Sequence, residues 1–348
     1  MTLKRLLFAT IILLLAFSLV ACGNSGDEIT LHVLNWEDYI EPDLIAQFED
    51  ENPGIKVKYS SLPNNEEMYT MLIQEDSRYD ICFPSDYMIE RLIKDDLLHE
   101  LNYDNIPNFQ NVMESSRDHS FDPGNKYSVP YMWGTLGILY NTEMVSEPVT
   151  SWNILWDEKY ANTILMYDSV RDSMAVSLKR LGYSVNTRDE AELEEATQEL
   201  IAQKPLVEAY MGDNVKDKMI GDGAALAVVY SGDAVWCMQE NEKLEYVVPD
   251  EGSNLWFDNM VVLKKSPNKE AAELFINFLC DAAVSQVNSE YIGYTTAIQP
   301  AYDAMPAEYL ENSAYVADAD IIERCEVFHD LGDDTALYDT LWMRVKAE

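Results

Sequence analysis

The sequence predicts an α/β protein built from two domains. Three observations carry this: strand and helix patterns alternate over residues 29–94, a second alternating series begins near Gly137, and the chain outgrows a single hydrophobic core. Removing an N-terminal leader of 21 residues from 348 leaves 327, whereas single cores stop growing at about 250–300 residues. With 47% hydrophobic residues the composition is that of a folded chain.

The leader lies outside the fold and is read first. Lys4 and Arg5 give a basic start, Leu6 to Val20 is almost wholly apolar, and Ala21 precedes Cys22. This is the pattern of a secretory signal peptide over 1–21. Its apolar run, about 15 residues, is short of the roughly 20 that span a bilayer. Leu19-Val20-Ala21-Cys22 resembles the bacterial lipobox, which implies lipidation of Cys22 and attachment to the outer face of the cytoplasmic membrane. Residues 22–27, with Gly23-Asn24-Ser25-Gly26, read as a flexible tether.

In the body, Ile29 to Leu34 alternates and is β-branched enough for a strand, and Pro42 to Glu51 follows with helical spacing at Leu44, Ile45 and Phe48. Asn52-Pro53-Gly54 stops that helix before a strand at Ile55 to Tyr59. A helix from Glu66 to Glu75, a strand from Tyr79 to Phe83 and a helix from Asp86 to Lys94 complete the first series. The second series has strands at Gly137–Asn141 and Thr163–Tyr167, then helices at Asp172–Leu181 and Asp189–Gln203. Strands at Ala225–Tyr230 and Trp256–Leu263 follow, then helices at Lys269–Leu279 and Ala282–Glu290 and a helical tail from Thr335. Glu190, Glu192, Glu194 and Glu195 read as the solvated face of their helix.

Formal net charge is −38, or −40 once Lys4 and Arg5 are removed. Nucleic acid is thereby an unsuitable partner, because phosphate binding needs clustered Lys and Arg. Cys82, Cys237, Cys280 and Cys325 are widely spaced and read as small buried residues, with pairing undecided by sequence. His32, His99, His119 and His329 show no metal-ligand spacing, and no nucleotide-loop, zinc-protease or nucleophile-elbow motif occurs. No cofactor is expected.

What remains as chemistry is a pairing of aromatic residues with acids, at Trp36-Glu37-Asp38-Tyr39, Ser85-Asp86-Tyr87, Tyr230-Ser231-Gly232-Asp233 and Trp256-Phe257-Asp258. An organic cation uses both partners: it gains roughly 0.5–2 kcal/mol over an aromatic face, and a carboxylate neutralises its charge where water is excluded. The first three clusters fall at strand-to-helix turns, where open α/β sheets bind ligands. Trp256 and Asp258, two apart on a strand, share a face. Ser85 also has a purely structural reading as the N-cap of the helix it precedes.

Over nearly the whole mature chain the sequence resembles the spermidine/putrescine-binding proteins of bacterial ABC transporters. The likeness rests on Asn35-Trp36-Glu37-Asp38-Tyr39, Tyr79-Asp80 to Pro84-Ser85, Tyr127 to Gly134, Thr150-Ser151-Trp152, Leu181-Gly182-Tyr183-Ser184 and Ile292-Gly293-Tyr294, in that order. The resemblance implies a two-lobed periplasmic-binding-protein-like fold (type II), each lobe a mixed sheet flanked by helices. Residues 28–135 and 257–301 would form lobe 1, and 136–256 and 302–348 lobe 2. It also implies a polyamine held between lobes, delivery to the permease subunits of an ABC transporter, a monomer, and no enzymatic activity. By the same resemblance Trp36, Tyr39, Ser85, Tyr87, Asp172, Tyr230, Asp233, Trp256, Asp258 and Tyr294 match ligand-binding positions.

Four positions depart from that pattern. Glu37 stands where a small hydroxyl residue is usual, Asp86 adds an acid beside Ser85, Ser169 replaces an acid of some spermidine binders, and Phe328 stands where those binders offer an amide. Glu37 and Asp86 are therefore candidate site acids, and the length of the site is open. Two other readings stand beside polyamine binding: the same fold taking another small cation or solute such as thiamine, and a lipid-anchored carbohydrate-active enzyme using two carboxylates.

Overall fold

The computed structural model describes residues 28–348; the signal peptide, the tether and Cys22 lie outside the described residues. Helix starts follow local capping. α1 (Pro42–Glu51) opens with Pro42 in its first turn, and α2 (Asn65–Leu72) is capped by Asn64, whose side chain accepts from the Glu67 N–H. α3 spans Asp86–Lys94, and α4 (Val170–Leu181) ends on Gly182 in the left-handed conformation, φ 83°. α5 (Glu190–Gln203) is capped by Asp189; it buries Leu193, Ala196 and Leu200 and leaves Glu190, Glu194 and Glu195 exposed, with Glu192 half-buried. α6 (Val215–Ile220), α7 (Ser231–Glu240), α8 (Lys269–Leu279) and α9 (Ala282–Ile292) follow. Short turns α10 (Gln299–Asp303), α11 (Ala307–Leu310) and α12 (Ala319–Ile322) precede the tail helix α13 (Thr335–Ala347).

The strands are β1 (Ile29–Asn35), β2 (Ile55–Ser61), β3 (Ile81–Cys82), β4 (Ser128–Asn141), β5 (Ile164–Tyr167), β6 (Val207–Met211), β7 (Leu226–Tyr230), β8 (Leu244–Val247), β9 (Leu255–Val262) and β10 (Thr295–Thr296). They follow the path β2-β1-β3-β9-β4-β7-β5-β6, with β8 and β10 attached to β4. β1 is parallel to β2 and β3, and β5 is parallel to β6 and β7. β4 joins the two halves: its first part, Ser128 to Thr135, pairs antiparallel with β9, and its second part, Leu136 to Asn141, pairs with β7 and β8.

Strand alternation splits the core into layers on either face of each half. Leu31, Val33, Ile81 and Val262 lie in one layer, while Leu34, Cys82 and Val261 lie in the opposite one. In the second half Leu136, Ile138, Ile164 and Leu226 oppose Leu139, Leu165 and Ala227. Leu341, Trp342 and Val345 of α13 pack into the second half.

Three expectations are corrected. The strand at Gly137–Asn141 is the latter part of a 14-residue strand, because Ser128 onward finds a partner in β9. The strand at Tyr79–Phe83 shrinks to Ile81–Cys82: Asp80 bonds β1 through its carboxylate, which accepts from the His32 N–H at 2.7 Å, as well as through its backbone. β6 and β8 had no counterpart in the sequence reading; β6 is only half-buried and does not alternate. Cys82, Cys237, Cys280 and Cys325 are all unpaired, the first three fully buried.

Candidate functional site

The loop after β1, the start of α3 and the first half of β9 converge on Asp258. This carboxylate is 6% exposed, and three neutral donors hold it. Trp36 Nε1 and Tyr39 Oη donate to its Oδ2 at 3.1 and 2.9 Å, and Ser85 Oγ donates to Oδ1 at 2.6 Å. Burial pushes its pKa up to about 6, and the three hydrogen bonds restrain the rise. Ser85 occupies the N-cap position of α3 without making a side-chain cap bond. Its hydroxyl instead accepts from Asn65 Nδ2 at 3.0 Å and orients Asp258.

From Asp258 a run of aromatic rings crosses to the second half of the molecule. Centroid distances are 5.6 Å for Tyr131–Tyr39, 5.5 Å for Tyr39–Tyr294, 5.2 Å for Tyr294–Trp256, 5.9 Å for Trp256–Tyr230 and 4.8 Å for Tyr230–Tyr167, every pair edge-to-face. In edge-to-face packing the positive edge of one ring meets the electron-rich face of the next, so the rings hold one another in place. Two glycines permit the crossing. Gly293, at φ 79°, ends α9 and delivers Tyr294, and a Cβ at Gly232 would overlap the Tyr294 ring packed on it.

Two more buried acids stand at the far end of the run. Asp172, in the first turn of α4, accepts from Tyr230 Oη at 2.8 Å through Oδ2, while its buried Oδ1 has no hydrogen-bond partner. Burial raises its pKa, against Ser169, Tyr230 and Arg171. Asp233, in the first turn of α7 and 6% exposed, places Oδ1 3.5 Å from Lys216 Nζ, and its buried Oδ2 also lacks a partner. Burial pushes Asp233 up to about 6, with Lys216 opposing. Trp256 Nε1 is likewise buried without an acceptor. Buried polar atoms are normally paired, so unpartnered oxygens on two carboxylates beside aromatic faces are chemistry suited to a donor cation.

The structure thus brings together Trp36, Tyr39, Ser85, Asp172, Tyr230, Asp233, Trp256, Asp258 and Tyr294. Of the other candidates, Asp86 and Tyr87 are engaged within the protein, Tyr87 with its ring under the Arg171 guanidinium at 5.3 Å. Asp86 is fully buried, and its two oxygens accept from the backbone N–H groups of Tyr87 at 2.7 Å and Phe257 at 3.1 Å, tying α3 to β9. Burial pushes its pKa up to about 8, restrained by those amides. Tyr87 donates to Glu66 at 2.9 Å and lies edge-on to Phe328 at 6.2 Å. Glu37 is exposed.

Sequence reasoning missed Tyr131, Tyr167 and Lys216. Tyr131 lies inside a segment that carried the resemblance, and Tyr167 ends a strand as Trp36 and Tyr230 do; nothing local marks Lys216. Arg171 was also missed, and it accounts for Phe328. Its guanidinium stacks 4.3 Å over the Phe328 ring and donates to the His329 carbonyl and Asn186 Oδ1, both at 3.1 Å. Among the described residues no group of three or more His, Cys, Asp or Glu side chains is placed to hold a metal ion.

Residues 43–317 match the family of bacterial extracellular solute-binding proteins. The spermidine/putrescine-binding periplasmic protein of Salmonella typhimurium is 35% identical over 330 residues, covering 94% of each chain. A spermidine/putrescine ABC transporter structure from Listeria monocytogenes superposes with a TM-score of 0.88 at 41% identity, covering 91% of this chain and 98% of that one. The spermidine/putrescine ABC transporter substrate-binding protein PotD of Streptococcus pneumoniae superposes with a TM-score of 0.81 at 41% identity, covering 92% and 99%. Both are two-lobed binding proteins in fold, as the two sheet halves joined through β4 are here. By matched span, identity and shared fold, the chain belongs to the bacterial extracellular solute-binding protein family.

Proposed function

We propose that this protein captures a polyamine, spermidine or putrescine, between its lobes and delivers it to the permease of an ABC transporter while anchored to the membrane through lipidated Cys22. It binds and releases its ligand without turnover. The observation that carries the reading is the pairing of three buried carboxylates with a run of aromatic rings, two of those carboxylates having an oxygen without a partner. The names of the relatives support it. The lobes divide as 28–135 with 257–301 and 136–256 with 302–348, in keeping with the change of pairing partner within β4 at Thr135 and Leu136.

In this mechanism one protonated amine meets Asp258, another meets Asp172, and the methylene stem lies against Trp36, Trp256, Tyr230 and Tyr294. Unit charges about 4 Å apart attract by roughly 4 kcal/mol at an effective dielectric near 20. Desolvation offsets much of that, so the ring faces contribute a needed part of the affinity. Hinge motion between lobes admits the ligand. Calorimetry with putrescine, spermidine and spermine is expected to give saturable binding of at least one; no heat and no thermal shift from any of them overturns the reading.

Affinity should also depend on pH. Burial pushes Asp258 up to about 6 and raises Asp172 as well in the empty protein, and an ammonium needs them ionised. Binding is expected to hold above about pH 7 and to weaken as pH falls through 6, by up to about tenfold per unit for Asp258. The stability of the empty protein runs the other way. A raised folded-state pKa contributes stability that is fully present below the unfolded value, near 3.8, and is lost as pH rises through 6. Titration calorimetry at several pH values and constant ionic strength checks this; an affinity that does not change across pH 6 contradicts it.

A further inference from the structure

Away from the aromatic run, the two halves of the molecule meet again along α3. Tyr87, Glu90 and Lys94 are spaced three and four residues apart and so share one face of that helix. Each meets a residue of the segment 328–330. The Tyr87 ring lies edge-on to Phe328. Glu90 Oε2 accepts from the Asp330 backbone N–H at 3.0 Å and lies 3.5 Å from His329 Nδ1. Lys94 Nζ stands 3.5 Å from Asp330 Oδ2, on a side chain only 8% exposed.

Each side of this contact is fastened to its own half. α3 buries Met88, Ile89 and Leu92 in the first-half core. Cys325 and Val327 still pack on that core where the chain passes β9, with Glu326 bridged to Asn254. From there on, the second half holds the segment. Asn186 Oδ1 accepts from the His329 N–H at 2.9 Å and Asn186 Nδ2 donates to the Val327 carbonyl at 2.8 Å. Arg188 donates to the Asp330 carbonyl at 2.9 Å, and Leu331 enters the second-half core. Between these two anchored pieces the Glu90 and Lys94 contacts are polar and partly solvated. Such groups part at modest cost, because water replaces each lost partner.

We infer that Glu90 and Lys94 form a latch with His329 and Asp330, outside the ligand site, whose strength sets how firmly the lobes stay shut on a ligand. This rests on the polyamine and two-lobe readings above. α3 connects the two functions: Ser85, at its N-cap, orients Asp258, and the latch residues follow roughly 8 and 14 Å further along the helix axis. Ligand and latch favour the same closed arrangement. A protein that closes less readily therefore binds every ligand more weakly by one common factor. The latch acts on how long a ligand is held and leaves the order of preference among ligands unchanged.

The test measures affinity by calorimetry and dissociation by stopped flow, with putrescine and spermidine. It compares wild type with Glu90→Ala, Lys94→Ala, Asp330→Asn and the Lys94→Ala/Asp330→Asn double variant. Asp330→Asn removes the charge but keeps an acceptor for the Gly332 N–H. Lys264→Ala is the control, since it removes an exposed ion pair to Asp96 within the first half. Glu90→Ala is expected to weaken both ligands about tenfold and Lys94→Ala about threefold, in each case through faster dissociation. The double variant loses little beyond Lys94→Ala, because both changes break one pair, and the control binds as wild type does. Glu90→Gln, which keeps an acceptor for the Asp330 N–H, replaces Glu90→Ala if that variant does not fold, with a loss of about threefold. A changed putrescine-to-spermidine ratio, additive losses, a loss carried by slower association, or an equal loss in the control overturns the inference. Wild-type protein that binds no polyamine removes the functional reading and this inference together; wild-type binding with unaltered affinity in the latch variants removes the inference alone.

Discussion

Replacing Asp258 with asparagine is expected to remove tight polyamine binding while leaving the empty protein at least as stable as wild type. Truncating one partner of a buried charge pair costs about 2–5 kcal/mol in binding, roughly 30- to several-thousand-fold in Kd. Stability responds differently because the carboxylate is a cost to the empty fold. Burial raises its pKa to about 6, so above that pH the ionised side chain is less stable in place than a neutral one. Asparagine keeps two of the three hydrogen bonds, its carbonyl accepting from Trp36 and Tyr39, and reverses the third, its amide donating to Ser85 Oγ, which already accepts from Asn65 Nδ2 and has a second lone pair. Calorimetry paired with thermal melting of the ligand-free variant at neutral pH checks both halves. Wild-type affinity, or a lower melting temperature without ligand, would count against Asp258 as a binding carboxylate held at the expense of stability.

Trp256→Ala should behave in the opposite manner, losing affinity and stability together. The ring is 7% exposed and sits edge-to-face between Tyr230 and Tyr294 within the first-half core. Deleting a buried aromatic costs about 3–5 kcal/mol of folding stability. Binding falls in addition by the lost ring face, about 0.5–2 kcal/mol, and by collapse of Tyr230 and Tyr294 into the space left. Trp256→Phe restores most of both, because the indole N–H has no acceptor to lose. Chemical denaturation beside calorimetry distinguishes the outcomes; an alanine variant with wild-type stability would show that Trp256 is not part of the packed wall.

The two variants separate what the aromatic residues and the acids each do. Rings build the cleft and hold it in shape, so their loss is felt with or without ligand. Under the proposed function Asp258 and Asp172 are a cost to the empty protein that an arriving cation offsets, whereas Asp233 already has Lys216 beside it. Asp86 shows that burial of an acid does not by itself make a ligand site: both of its oxygens are spent on backbone amides, and it serves to fasten α3 to β9.

Much of this was legible in the chain. Periodicity located β1, α1, β2, α3 and α13 to within a residue or two of each end, because their alternating or helical apolar patterns and caps act over a few neighbouring residues. Aromatic residues beside acids marked Trp36, Tyr230 and Asp233 at strand-to-helix turns and Trp256 and Asp258 on one face of a strand, and the structure brings Trp36 to Asp258 and Tyr230 to Trp256. The sequence could not show which oxygen of each acid is satisfied. That depends on residues brought near from far away: Asp258 takes its donors from positions 36, 39 and 85, and Asp233 takes its cation from Lys216. Local pattern determined that rings and carboxylates recur together along this chain; only the tertiary structure decided which of those carboxylate oxygens are already satisfied, because charge pairing is set by distance in space and not by separation along the chain.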